Sequence, residues 1–162
     1  MNIIYKKLTG KELDIFIQMR INQLREEGAT EDIDLVPALR DYYDRHMADG
    51  TFVSWLAMDG EKIIGYVNVR VLGDEAELMR ICILPEYRGQ GLSGGLLERG
   101  MEDMIRCGAK AATLEVRAGN LPAVRLYEAH GFVLEGYRKN YYRDPKEDAA
   151  IYWNHDLPGG RS

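Results

Sequence analysis

The sequence predicts a mixed α/β fold, a sheet covered by helices, and three observations carry that prediction. Two runs rich in β-branched and aromatic residues, Thr51 to Met58 and Lys62 to Leu72, flank Asp59-Gly60, a strong short hairpin signal. A glycine-rich turn at 88–95 follows a third apolar run and feeds a helical pattern. A further short strand then leads into a segment opened by Asn120 and closed by Gly131, where a left-handed C-cap belongs.

The remaining elements fall around these three. Ile3 to Leu8 reads as a strand, and after Thr9-Gly10 the residues Leu13, Ile17, Met19/Arg20 and Leu24 recur at helical spacing as far as Gly28. A second helix is expected over Leu35 to Met47, with Asp34 as N-cap, Pro37 in the first turn and Asp49-Gly50 as its stop. Glu77 to Leu84 is a strand ended by Pro85, the helix after the glycine turn runs to about Cys107-Gly108, and Ala111 to Val116 is the next strand. A helix over Leu121 to His130 and strands near Phe132 to Tyr142 and Ala149 to Asp156 complete the order. One domain, residues 1–157, is expected, with 158–162 as a mobile tail.

Composition narrows the function classes. At 162 residues with 46% hydrophobic content the chain matches one domain with a sizeable core. A formal charge of −5 without a dense Lys/Arg block argues against nucleic acid as a partner. No window approaches the roughly 20 apolar residues of a membrane span, so a soluble cytoplasmic protein is expected, with no membrane partner. Cys82 and Cys107 lack zinc-type spacing and read as ordinary buried thiols, so no metal is expected. His46, His130 and His155 accompany no serine or cysteine nucleophile pattern and read as surface or structural residues.

The turn Arg88-Gly89-Gln90-Gly91-Leu92-Ser93-Gly94-Gly95 places small residues at a helix N-terminus, where unpaired N–H groups and the positive dipole end converge. Phosphate is the natural occupant, glycine lets it approach the backbone, and Arg88 can add a charged contact at the rim. Gly89-x-Gly91-x-x-Gly94, with Glu115 about 20 residues later, also matches the dinucleotide-binding fingerprint. That fingerprint belongs directly after the strand of a βαβ unit. Here Pro85-Glu86-Tyr87-Arg88 intervenes, the preceding strands form an antiparallel hairpin, and no second mononucleotide-binding half follows.

With these residues in view, the chain resembles the GNAT N-acetyltransferases. Their motif Q/R-x-x-G-x-G/A corresponds to Arg88-Gly89-Gln90-Gly91-Leu92-Ser93, with Ser93 departing at the last position. A second stretch, Asn120-Leu121-Pro122-Ala123-Val124-Arg125-Leu126-Tyr127-Glu128-Ala129-His130-Gly131-Phe132, is similar to the family's N-x-x-A-x-x-x-Y-x-x-x-G-F signature. Leu114 to Asn120, Arg138-Lys139-Asn140-Tyr141-Tyr142 and Glu147-Asp148-Ala149 resemble the bacterial ribosomal-protein alanine N-acetyltransferases, whereas the first 75 residues lack that subgroup's Pro-Trp segment. The resemblance implies a mostly antiparallel sheet with one splayed parallel pair, helices on both faces, and acetyl-CoA as co-substrate. It implies a cofactor cradle of Arg88, Gly89, Gln90, Gly91, Leu92, Ser93, Gly94, Asn120, Ala123 and Tyr127. It also implies docking on the backbone of Ile81, Cys82 and Ile83 and an acceptor side lined by the N-terminal helices.

Acetyl transfer to an amine needs a neutral nucleophile, a polarised thioester carbonyl and a proton for the departing thiolate. Along Thr113-Leu114-Glu115-Val116 the strand period puts Glu115 on the face opposite Leu114 and Val116, near the carboxyl end of its strand. Glu115 is the expected base, acting through a water, with Glu77 as the alternative; the subgroup resemblance implies the role for Glu115. The resemblance also implies that Tyr127 points at the cofactor sulfur as acid. Asn120 suits both helix capping and cofactor contact. The acceptor stays open between a peptide or protein α-amine and a small amine, the latter favoured by the acidic Glu26, Glu27, Glu31, Asp32 and Asp34. A CoA-binding module without turnover is the other class. Tyr141 and Tyr142 line the acceptor entrance or sit on an exposed hairpin, and that hairpin could support a homodimer.

Overall fold

The computed structural model describes residues 2–26, 33–143 and 145–157. The expected helix stop at Gly28, the acidic Glu27, Glu31 and Asp32, and the tail 158–162 lie outside them. The chain runs β1 (Ile3–Lys7), α1 (Leu13–Glu26), α2 (Val36–Ala48), β2 (Phe52–Asp59), β3 (Lys62–Leu72), β4 (Glu75–Ile83), α3 (Leu92–Arg106), β5 (Ala111–Arg117), α4 (Leu121–Ala129), β6 (Val133–Arg143) and β7 (Lys146–Asn154).

The strands form one seven-stranded sheet in the order β1-β2-β3-β4-β5-β7-β6, antiparallel throughout except for the β4–β5 pair. Helices cover both faces. The inward stripe of α1, Leu13, Phe16, Ile17 and Ile21, packs with Tyr43 of α2 against Phe52, Leu56, Met58, Ile63 and Tyr66. On the opposite face Leu96, Leu97 and Met104 of α3 and Tyr127 of α4 pack against Val67, Val69, Leu78, Leu114 and Tyr152.

Local chemistry fixes the entries to these helices. Glu12 closes a capping box, its carboxylate accepting from the Thr9 backbone N–H at 3.1 Å and hydroxyl at 2.9 Å, with Lys6 Nζ at 2.7 Å. Asp34 acts one step outside its expected place: Leu35 is the N-cap of α2, and the Asp34 carboxylate accepts from the Val36 N–H at 3.1 Å. Pro37 still falls in the first turn, where no intrahelical donor is lost. Asn120 caps α4 as expected, accepting from Ala123 N–H at 3.4 Å. Cys107 corrects an expectation, because it ends α3 at the surface and is exposed; Cys82 is half-buried, its sulfur accepting from Gln23 Nε2 at 3.1 Å.

The feature that positions the site is an extra residue in β4. Val69 pairs with Leu78 and Asn68 with Arg80, so Met79 is left without a partner in a bulge. The parity of the strand changes there: Ala76 and Leu78 face the α3 core, and beyond the bulge Ile81 and Ile83 do. A bulge bends its strand, and this bend coincides with the end of pairing to β5, which covers only Glu75↔Ala111, Ala76↔Ala112 and Glu77↔Thr113. Among the described residues, none pairs with the β5-facing edge of β4 from Leu78 onward. The sheet has a gap.

Candidate active site

A cleft of about 710 Å³ opens on the α3/α4 side of this gap. Its walls include the end of β4 from Arg80 to Ile83, the turn residues Arg88, Gly89, Gly91, Leu92, Ser93 and Gly94, and Asn120, Ala123 and Leu126 of the α4 segment. Every residue expected in the cofactor cradle lines it except Gln90 and Tyr127, and Tyr127 faces the adjoining cavity. A single 3₁₀ turn, Pro85–Tyr87, links β4 to the glycines, held by a 2.8 Å bond from the Tyr87 hydroxyl to Asp59.

This cleft fits a pyrophosphate. Gly91 is the N-cap of α3 at φ +76, a conformation that disfavours other residues, and no side chain caps the helix. The first-turn N–H groups therefore point into the cleft. A Cβ built on Gly89, Gly91 or Gly94 meets no atom within 4 Å, whereas one on Gly95 would lie 2.6 Å from Tyr5 Cζ, so Gly95 serves close helix–strand packing. Arg88 sits at the rim with Nε donating to Ile83 O at 3.0 Å, which leaves its terminal nitrogens directed elsewhere.

The second cavity, also about 710 Å³, lies across the gap. Leu78 to Ile81 of β4, Glu115 to Arg117 of β5, Asn120, Tyr127, Tyr142, Arg143 and Glu26 line it. Glu115 alternates with buried Leu114 and Val116, so it stands on the α1/α2 face as its sequence period predicts. Tyr127 belongs to the opposite core, where its ring meets Phe132 edge-to-face at 6.1 Å. The gap brings the two into one cavity from opposite faces of the sheet. Burial, with a smaller contribution from Tyr142, pushes the Tyr127 phenol from 10.0 up to about 12.

Glu115 is not a lone carboxylate: Arg138 Nε of β6 lies 2.6 Å from its Oε1. Tyr142 stands on the same side, with the Arg117 guanidinium 4.3 Å from its ring centre, and burial raises its phenol, helped by the nearby Glu115 charge. Tyr142 thus takes the cavity and Tyr141 the exposed side of the hairpin. Glu77, the last β4 residue paired with β5, is bonded to Arg70 and is absent from the cavity wall. His46, His130 and His155 each bond locally, to Thr51, the Leu126 carbonyl and Glu135. Among the described residues no group of three or more potential ligands could hold a metal, and no helix is long and apolar enough to cross a membrane.

The model of the acetyltransferase (GNAT) family matches residues 16–132, which contain both cavities' principal walls. The chain belongs to this family. As a GNAT protein it is an acetyl-CoA-dependent N-acetyltransferase, with acetyl-CoA as co-substrate. It is 35% identical over 118 residues, 72% of this chain and 78% of the relative, to a Bacillus subtilis protein assigned as a ribosomal protein bS18 alanine N-acetyltransferase. The Escherichia coli ribosomal protein bS18 alanine N-acetyltransferase is 40% identical over 92 residues, which is 56% of this chain and 62% of that one. The crystal structure of the Escherichia coli ribosomal-protein-S18-alanine N-acetyltransferase superposes with a TM-score of 0.70 at 26% identity, covering 99% of both chains.

Sequence reasoning missed the cavity contributors Arg80, Arg143 and Glu26, and the Arg138 partner of Glu115, which stands outside the cavity wall. Arg80 hides in an apolar strand, and only the Met79 bulge turns it toward the α1 face. Glu26 was visible only as part of an acidic stretch. Arg138 was noted in the family-like segment, but its contact with Glu115 crosses an intervening strand, which no local pattern reveals.

Proposed function

We propose that this N-acetyltransferase acts on the α-amine of a peptide or protein N-terminus, by direct attack on the thioester with Glu115 as base and Tyr127 as proton donor. The observation that carries the reading is the gap in the sheet. The acetyl donor reaches it from the α3/α4 face, along Ile81–Ile83 and the glycine turn, and the amine enters from the α1/α2 face between Glu26 and the β6–β7 hairpin. Bound acetyl-CoA supplies the thioester at the gap. Glu115, through a water, takes the proton the ammonium must lose before its lone pair can attack. As the new N–C bond forms and the C–S bond breaks, the nitrogen gives up its second proton, which passes through water to the departing thiolate, and Tyr127 donates a hydrogen bond to that sulfur.

The raised phenol sharpens that last role. A group held at about 12 stays protonated through the physiological range, and full transfer to a thiolate, whose acid has an ordinary pKa of about 8.5, is uphill. Tyr127 therefore stabilises the leaving charge more than it delivers the proton. Similarity to proteins named as ribosomal-protein alanine acetyltransferases supports an N-terminal amine as acceptor, and the expected setting is cytoplasmic.

The deciding experiment measures thiol release with peptides beginning in Ala, Ser, Met and Gly beside spermidine, aminoglycosides and free amino acids. Turnover with an N-terminal peptide at least ten times that with every small amine supports the reading. A small amine as the best substrate overturns the acceptor assignment, and tight acetyl-CoA binding with no release from any acceptor makes the chain a CoA-binding module.

A further inference from the structure

We propose that Arg138 is a positioning residue for acetyl transfer, holding the Glu115 carboxylate in place at the wall of the gap. The proposal rests on Glu115 being the base. The strand order puts β7 between the two residues: Glu115 pairs with Ile151, and Arg138 pairs with Ala149. An arginine must therefore span two strand spacings, roughly 10 Å, to touch the carboxylate. Its pairing partner on β7 is Ala149, a short side chain, and its Nε lies 2.6 Å from Glu115 Oε1. Chain segments do not make that reach by sequence proximity, so the contact is built by the sheet.

The hairpin is shaped around this contact. Between Arg138 and Tyr142, β6 carries two more residues than β7 offers partners, and Asn140 turns through φ +55. The Asn140 N–H donates to Asp148 Oδ1 at 2.8 Å, closing the bulge. Tyr142 is thereby drawn opposite Glu147 and beside Arg117, on the Glu115 side, instead of two residues farther along the hairpin. Arg138 and Tyr142 then bracket the carboxylate.

A base works only when held close to its productive position, and a charged hydrogen bond to one carboxylate oxygen fixes the rotamer that a half-exposed glutamate would otherwise exchange. The other groups facing Glu115 are Arg117 on its own strand, Arg80 of β4, Arg143 and Tyr142 of β6, Tyr127 of α4 and the like charge of Glu26 from α1. Arg117 is engaged with Glu147 and the Pro145 carbonyl, and Arg138 lies in direct contact with the Glu115 carboxylate. The guanidinium side chain is 57% exposed against 28% for Glu115, which means that replacing it opens no core cavity. As an exposed pair it adds little to stability, and its effect lies in function.

The test compares kcat and kcat/KM against pH for the wild type, Arg138→Gln, Arg138→Lys and Glu115→Gln, with acetyl-CoA and a synthetic peptide beginning in alanine. Arg138→Gln is expected to lower plateau kcat severalfold with the KM for acetyl-CoA unchanged. Arg138→Lys should restore only part of that loss, since a charged donor returns without the planar fork. Combined with Glu115→Gln, Arg138→Gln should cost nothing further. A wild-type plateau kcat in Arg138→Gln beside a large loss in Glu115→Gln, or a further severalfold loss in the double variant, overturns this proposal alone. Undiminished turnover in Glu115→Gln across the pH range overturns the base assignment on which it rests. Should peptide turnover be too slow to profile, carbon-13 relaxation of the Glu115 side chain, assigned by difference from Glu115→Gln, gives the same comparison: the side chain should become more mobile in Arg138→Gln, and unchanged mobility overturns the proposal.

Discussion

The two sides of the gap are built on different principles. The donor side is made of backbone, namely the uncapped N-terminus of α3, the open glycines and the unpaired edge of β4, with Asn120 used to start a helix. The proposed acceptor side is made of side chains projected from distant strands, Glu115, its partner Arg138, Arg117 and Tyr142, and it is densely charged. A backbone site tolerates change in side-chain identity but not in local conformation, whereas a side-chain site can be retuned one residue at a time. The same fold can therefore keep its donor while its acceptor changes.

That contrast can be broken from the donor side with the largest effect. Gly91→Asp combines a left-handed φ of +76 with a negative charge at the phosphate position, and should weaken acetyl-CoA roughly a hundredfold or more by calorimetry, the peptide site notwithstanding. Glu115→Gln should leave acetyl-CoA affinity unchanged and lower peptide turnover by about a hundredfold, the scale of a lost general base. If the two variants lost donor binding equally, the division of labour across the gap would be wrong.

Tyr127→Phe should lower kcat about tenfold, a smaller effect than losing the base because the hydroxyl supports a charge instead of moving a proton. Its phenol also has a stability signature. The folded value of about 12 lies above the ordinary 10.0, so the unfolded chain releases its proton first and stability falls as pH rises between these values. The contribution is up to about 2 to 3 kcal/mol, and denaturant melts at pH 9 and pH 12 should show a shallower alkaline loss in Tyr127→Phe. The smallest effect belongs to the hairpin: Asp148→Ala removes the bond to Asn140 N–H, and should raise the peptide KM about two- to threefold with acetyl-CoA binding unmoved.

The same division explains what the amino-acid order made legible. The donor side is local in sequence: the glycine turn is contiguous, Asn120 and Gly131 bound one helix, and helix capping and turn chemistry are short-range rules. Glu115 was legible because period-2 alternation is equally local, though its partner was not. Arg138 meets it across β7, and the strand order that brings them together depends on which edges pair, a property of the whole sheet. Neither bulge announces itself either, since Met79 sits in a mainly apolar run interrupted by Arg80, and Asn140 in a polar one, both without glycine or proline. Cys107 was misjudged for a related reason: apolar residue type argues for burial, but at a helix end the direction of the last turn decides it.

The Met79 bulge carries one more implication. A single unpaired residue makes β4 present opposite parities at its two ends, so one half of the strand seals the sheet and the other half serves as the frame of a window through it. The width of that window is thus set by residue count, not by side-chain size. Removing one residue would restore the register and shut the passage between donor and acceptor, while every side chain named in the chemistry was still present.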